Sequence, residues 1–437
     1  MKKGKRMMGA LVVGLALLAS LTWANGLNLN SLGTRALTMG GAYVGLANDF
    51  SAVFWNPAGA GFFKTKTFGF YGTDMIPSGT YKFEIPLPNG SKLTMVDAKT
   101  NTKHYLGALG AYYLPVGENL VVGLGVYTPS GLGADWDGTD FAKLSLNKTY
   151  EWNSMIGVMT ISPLIAYRIN DMISVGATLN INYGMFDIRT HAGSAATPFG
   201  DLDLGQYEES LTGWGLGATL GVLVKPSEMF SLGLTVKTPF SVKLGGEAKI
   251  SNLPLLKLNG QSDLDREVTW PMWIAGGVAF KPIPKLTLTG DIQYTQWSTI
   301  DAIEATFKDS FWSAFMAASG KDRMVMEWQS KSQIRFGAEY ALNPTLALRA
   351  GYYWDPSPAP DKTMNVLIPS YDFNVLTFGI GYGTGNLQLD FGLEYLMGSE
   401  RSVDYLKTLT DPKWAEAMPG IYGMKLLVPN LSISYRF

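Results

Sequence analysis

At the end of the chain apolar and polar residues alternate strictly. Leu431, Ile433 and Tyr435 fall on one parity, and Ser432, Ser434 and Arg436 on the other. A period of two gives a β-strand with one oily and one polar face. The same alternation recurs upstream, in fourteen stretches near residues 64–75, 103–114, 118–128, 152–168, 172–189, 207–225, 229–248, 267–281, 285–300, 331–342, 344–354, 373–384, 386–398 and 426–437. The connections alternate too. Residues 114–118, 169–171, 225–228, 281–285, 342–344 and 384–386 read as tight turns, and between them lie connections of about 15 to 30 residues. An even number of two-faced strands with short turns at one end and long loops at the other predicts an all-β fold, a membrane-spanning antiparallel β-barrel of 14 strands.

Parity assigns the faces. Near 344–354, Leu346, Leu348, Ala350 and Tyr352 are expected to face lipid and Ala347, Arg349, Gly351 and Tyr353 the lumen. Near 386–398, Leu387, Leu389, Phe391, Leu393 and Tyr395 point outward, and Gln388, Asp390, Gly392 and Glu394 inward. A charge at the bilayer midplane of a barrel costs about 2–4 kcal/mol, so Lys237, Asp291, Arg335 and Glu339 also belong inward. Such inward charges either form ion pairs on the lumen wall or meet an anionic ligand, and parity does not separate the two.

Composition narrows the class. Hydrophobic residues make up 46% and charged residues 16%, yet no stretch beyond the amino terminus approaches a membrane-spanning helix. The first residues read as a leader: Lys2, Lys3, Lys5 and Arg6, an apolar run from Met7 to Leu21, then Thr22-Trp23-Ala24. The run falls short of the ~20 residues a spanning helix needs, so residues 1–24 are expected to be a cleaved signal peptide rather than an anchor. Four of the 35 basic residues lie there, against 36 acidic ones in the chain, so the mature protein carries a net charge near −5 and no nucleic-acid partner is expected. The absence of cysteine excludes disulfides, thiolate metal sites and cysteine nucleophiles.

One stretch departs from the alternation. Residues 31–61, SLGTRALTMGGAYVGLANDFSAVFWNPAGAG, are too glycine-rich for a helix and too broken for a strand, yet apolar enough to seek burial. The ordered set Gly33, Arg35, Ala36, Met39-Gly40-Gly41-Ala42, Ala47-Asn48-Asp49, Ser51-Ala52 and Asn56-Pro57-Ala58-Gly59 resembles the amino-terminal hatch of the FadL/TodX family of outer-membrane transporters for long-chain fatty acids and hydrocarbons. Trp270-Pro271-Met272-Trp273, Asp291 to Ser298, and Gly351-Tyr352-Tyr353-Trp354-Asp355 with Ile368-Pro369 are similar to later parts of the same family.

The resemblance implies a hatch or plug over residues 25–63 inside a barrel over 64–437, with Gly33, Arg35, Gly40, Gly41, Asp49, Asn56, Pro57 and Ala58 as hatch and gating residues. It implies passive uptake of hydrophobic molecules, long-chain fatty acids first, captured at extracellular loops and released sideways through the barrel wall. That lateral opening comes from a kink in the third strand near the Asn-Pro-Ala of the hatch, which points to Gly123 and Gly125 here. A carboxylate would be met by Lys237, Arg335 or Arg349, whereas a hydrocarbon channel would need no cation.

No cofactor, metal or catalytic residue is implied, and a monomer in the bacterial outer membrane is expected, surrounded by its lipids and lipopolysaccharide. Phe437 looks like the signal read by the barrel assembly machinery. Two rival classes remain at this point. A barrel enzyme would need His104 or His191, which sit in no catalytic motif, and a diffusive porin would lack the hatch. In the loops, Phe311, Trp312, Phe315 and Met316 are spaced as on a helix, and Asp411-Pro412 reads as a helix start.

Overall fold

The alternating stretches become strands, and each pairs antiparallel with the next in sequence. The structure, a computed structural model, describes residues 26–198 and 200–437, so the predicted signal peptide lies outside the described residues. The first barrel strands are β1 (Thr67–Pro86), β2 (Tyr105–Val116), β3 (Leu120–Trp136), β4 (Trp152–Arg168), β5 (Ile173–His191) and β6 (Gln206–Ser227). Strand β7 runs in two pieces, Phe230–Lys237 and Phe240–Ile250, as does β8, Gln261–Trp270 and Trp273–Ile283. There follow β9 (Leu286–Thr295), β10 (Lys331–Ala341), β11 (Leu346–Asp355), β12 (Phe373–Thr384), β13 (Leu387–Gly398) and β14 (Gly420–Arg436). The last strand pairs back onto the first, Thr67 opposite Arg436 and Lys82 opposite Ile421, which closes a barrel of 14 strands.

Where the strands depart from the sequence expectation, a local cause is visible. β1 continues past residue 75 to Pro86 because a hairpin strand, Lys92–Lys99, pairs with its distal part. The breaks in β7 and β8 fall at Thr238-Pro239 and Pro271-Met272, where proline has no N–H to give to a ladder. The faces follow the predicted parity: Leu348, Tyr352, Phe391 and Leu393 are exposed, whereas Arg349, Tyr353, Asp390 and Glu394 are buried.

Residues 27–62 occupy the lumen, folded into α1 (Thr34–Thr38), α2 (Ala52–Trp55) and a 3-10 helix over Pro57–Phe62. Leu32, Leu37, Tyr43, Val44, Phe54 and Trp55 pack against Tyr71, Leu109, Tyr113, Leu164 and Trp273 of the wall. Each such side chain contributes about 1.5–3 kcal/mol when fully buried, so apolar burial is the first thing that seats the segment. Gly40 and Gly41 turn at φ 65° and 64°, and a Cβ at Gly40 would lie 3.0 Å from the Tyr352 amide nitrogen. The segment thus lies backbone against wall there, an approach that only glycine permits.

The long loops gather at the opposite end from the tight turns. Their helix α3 (Ser310–Ala318) is capped by Asp309, whose Oδ1 accepts from the Trp312 amide at 3.1 Å, and it buries Trp312 and Met316 as the spacing predicts. Asp411-Pro412 opens only a 3-10 turn, Pro412–Trp414, and the nearby helix α4 (Tyr405–Thr410) precedes it under an Asp404 cap.

Candidate functional site

Charge fixes the lumen segment to the wall at the tight-turn end. Arg35 grips Glu339 with two parallel hydrogen bonds, each 2.7 Å, and donates a third of 2.7 Å to Asn48. Arg349 donates to the same Glu339 at 2.6 Å and to Asp390 at 2.7 Å, so two cations and two carboxylates alternate in one partly buried chain. Arg349 and Asp390 are its buried members, and removing Arg349 would strand Asp390, a loss of about 3–5 kcal/mol. Asp291 accepts from the Tyr43 and Val44 amides at 2.8 and 2.9 Å, and Asp49 caps the turn before α2 through Ser51 while accepting from Tyr43 at 2.8 Å. A Cβ at Gly33 would lie 2.7 Å from that of Ser51, so Gly33 keeps α1 and α2 in contact.

The Asn-Pro-Ala motif is held by β5 and β6. Asn56 donates to the carbonyls of Val44 and Val222, both 3.0 Å, and accepts from the Ala58 amide at 3.1 Å. Pro57 and Ala58 lie on Gly176 of β5, leaving no room for a side chain there.

Strand β3 is continuous, but its pairing is irregular. Both of its ladders run regularly through Gly123 and Gly125, opposite Tyr113 and Ala111 on one side and Leu164 and Ser162 on the other. Its pairing with β2 stops at Leu109 opposite Tyr127, and the register with β4 shifts between Tyr127 and Ser130. The kink is therefore at Thr128-Pro129 rather than at the two glycines, which a proline's missing donor explains. Gly125 serves packing instead, since a Cβ there would lie 2.8 Å from Val53.

Beyond the kink β3 leaves its neighbour and takes up the start of the lumen segment. Leu29 donates to the Pro129 carbonyl at 2.9 Å, Asn28 bridges Ser130, and the Ser130 hydroxyl donates to the Leu27 carbonyl at 2.5 Å. Residues 26–30 thus form a strap, which sequence reasoning did not single out; Thr128-Pro129 inside an alternating strand was the available signal.

The strap stands between two cavities, with Asn28, Leu29 and Asn30 lining both. One, of about 60 Å³, is walled by Phe54, Tyr127, Phe240, Trp270 and Trp273 and contains Lys237. The Lys237 ammonium lies 3.4 Å from the centre of the Phe54 ring and 4.5 Å from that of Trp273, an aromatic cradle for a cation. The other, of about 130 Å³, has mostly apolar walls and reaches Gly131 and Gly133 just past the kink.

Of the three cations expected to meet a ligand, the structure brings only Lys237 to a cavity above the segment. Arg349 is taken up by Glu339 and Asp390. Arg335 donates to Gln333 and to the Gly40 carbonyl at 3.1 Å, with its guanidinium 4.1 Å from the Tyr353 ring centre. Among the described residues, no carboxylate or carbonyl is hydrogen-bonded to the Lys237 ammonium.

Both histidines sit at the loop end, paired with carboxylates. His104 meets Asp74 at 2.6 Å, and His191 meets Asp203 at 2.8 Å while stacking on Tyr150. Burial pushes the Asp203 carboxyl up, but Lys148, Tyr150, His191 and the Gly205 amide outweigh it and hold it well below the usual carboxylate range. The cluster is a clasp across extracellular loops.

The same architecture is found in known proteins. A family model described as outer membrane protein transport protein (OMPP1/FadL/TodX) matches residues 15–437. Outer membrane protein P1 of Haemophilus influenzae is 23% identical, with 89% of this chain and 92% of that protein covered. The long-chain fatty acid transport protein of Escherichia coli is also 23% identical, over 90% of this chain and 93% of its own length. Among solved structures, a FadL homologue of Pseudomonas aeruginosa superposes with a TM-score of 0.77 at 16% identity, covering 94% of this chain and 100% of that one. The Pseudomonas putida toluene transporter TodX does so with 0.72 at 17% identity, again over 94% and 100%. Matched over nearly its whole length, the chain belongs to the OMPP1/FadL/TodX family, outer-membrane transporters rather than enzymes.

Proposed function

We propose that this protein takes up long-chain fatty acids through the outer membrane, with Lys237 receiving the carboxylate. The observation that carries the reading is the half-buried Lys237 ammonium without an acidic partner among the described residues, facing an aromatic cavity beside the lumen segment. A hydrocarbon channel would gain nothing from such a cation, which is costly to withdraw from water unless something pairs with it. Capture at the loop end falls to the apolar surface around α3, and residues 25–63 act as the plug.

Release is sideways, through the gap between β2 and β3 beyond Thr128-Pro129. The tight-turn end offers no equal path, because Arg35, Asp49, Glu339, Arg349 and Asp390 line the cavity there and an acyl chain has no affinity for it. The driving force is partition down a gradient, without nucleotide or metal. Phe437, exposed and edge-on to Tyr435, is taken as the mark read by the barrel assembly machinery, and the barrel as a monomer among outer-membrane lipids and lipopolysaccharide.

Hydrocarbon uptake is the second reading, favoured by the mainly apolar walls of the other cavity. Equilibrium binding to the purified protein in detergent separates the two. Saturable fatty-acid binding that weakens at least tenfold in Lys237→Met, with toluene binding weak and unmoved, is expected. Fatty-acid binding indifferent to Lys237→Met, or toluene bound more tightly, would overturn the assignment.

A further inference from the structure

The cavity on the far side of the strap has a chemistry opposite to that around Lys237. No lysine, arginine or histidine lines it, whereas Asp355 and Glu394 do. Asp355 accepts from Asn30 at 2.9 Å and from Gln333 at 2.5 Å, and Glu394 accepts from Tyr353 at 2.5 Å. An ionised head brought beside two carboxyl groups, with no cation on the wall, would be repelled in a medium that screens poorly.

The cavity is nevertheless not purely apolar. Three residues of its wall carry buried hydroxyls, Ser31, Tyr71 and Tyr371. Those of Ser31 and Tyr371 have no hydrogen-bond partner among the described residues, and Tyr71 makes no bond of normal geometry although Thr73 lies near it. A buried polar group left unpaired destabilises a fold, so three around one cavity are unlike an ordinary core. Hydroxyls both donate and accept, which suits a neutral head that does the same.

We propose that this cavity is a second ligand site, selective for an apolar chain ending in a neutral hydroxylic head, either an alcohol or a carboxylic acid carrying its proton. The Lys237 cavity takes the ionised carboxylate, an assignment that rests on the function proposed above. Gly131 and Gly133, past the kink of β3, line the neutral site, as Tyr127 and Pro129 at the kink line the Lys237 site, so both adjoin the gap in the wall. A head passing from there into hydrocarbon sheds less solvation if it is uncharged.

The test compares tetradecanol with tetradecanoate at neutral pH, bound to the purified protein in detergent. Removing both ring hydroxyls with Tyr71→Phe/Tyr371→Phe should weaken tetradecanol roughly three- to tenfold, the scale of one or two hydrogen bonds, and leave tetradecanoate within twofold. The melting temperature should hold or rise, because the hydroxyls removed lack partners. Lys237→Met should do the reverse, weakening tetradecanoate and sparing tetradecanol. Tyr371→Phe alone provides a milder variant with a smaller shift in the same direction.

Tetradecanol that does not bind, that ignores both tyrosine variants, or that is displaced one for one by tetradecanoate would overturn the second site. Failure of the fatty-acid reading looks different: tetradecanoate would then not bind the unaltered protein, whatever tetradecanol does.

Discussion

Asn56 serves three polar groups at once, two carbonyls and one amide, where the lumen segment meets β6. Alanine there leaves all three without that partner, at about 1–3 kcal/mol for a buried group left unpaired, so Asn56→Ala should destabilise the folded protein by on the order of 3 kcal/mol. The expected readout is a lower temperature at which the compact band on a detergent gel converts to the slow, unfolded one. Aspartate keeps the shape but offers no N–H to Val44 and Val222, so Asn56→Asp should fall at least as far. Residue roles of this kind were only partly legible in the sequence. Parity placed Lys237, Arg335 and Arg349 inside alike, because alternation reports which way a side chain points and nothing of what it meets. Arg349 meets two carboxylates, Arg335 a backbone carbonyl and Lys237 two aromatic rings. Apart from Glu339, which faces Arg349 across the β10–β11 hairpin, those partners come from segments distant in sequence, beyond the reach of a local pattern.

Among the elements, β3 connects the wall to the lumen. Its last rung on β2 is finished by a side chain: Thr128 Oγ1 accepts from the Ala108 amide at 3.0 Å, where a continued ladder would have used backbone. Pinning that corner should shut the proposed exit. A Cβ at Gly107 would lie 3.3 Å from the Thr128 hydroxyl, so Gly107→Cys with Thr128→Cys puts two thiols within bonding reach, in a chain that has no other cysteine. Oxidised cells should lose most fatty-acid uptake and recover it on reduction, whereas uptake equal in both states would place the exit elsewhere. The alternation predicted β3, and the family resemblance pointed to its glycines for the bend. Glycine permits a bend; proline, by withholding a donor, compels one. The strap has no signal of its own, because its three short contacts with β3 show no period.

At the scale of the whole molecule, strand number and closure were the most legible features, since fourteen alternating stretches with unequal connections leave few other ways to satisfy every backbone group in lipid. Strand ends above the membrane were not, because the loop hairpins that extend β1 answer to one another rather than to a bilayer. A barrel this wide has space that its own inward side chains do not fill, about eight strands being enough for a filled interior. Deleting residues 27–62 should therefore turn small or absent current steps in planar bilayers into large ones, and unchanged conductance would mean that the lumen segment is not what seals the pore.

The ladder between β14 and β1 also governs how the protein comes into being. It joins residues from nearly opposite ends of the chain, so the contacts that complete the sheet are the last to be synthesised and the slowest to find one another. Until then β1 and the newest strand each present an unpaired edge, flanked by side chains such as Phe68, Phe70, Phe378 and Phe391 that the finished protein shows to lipid. During its passage to the membrane the chain is therefore an aggregation hazard, the more so the longer those edges stay uncovered before the final strand arrives.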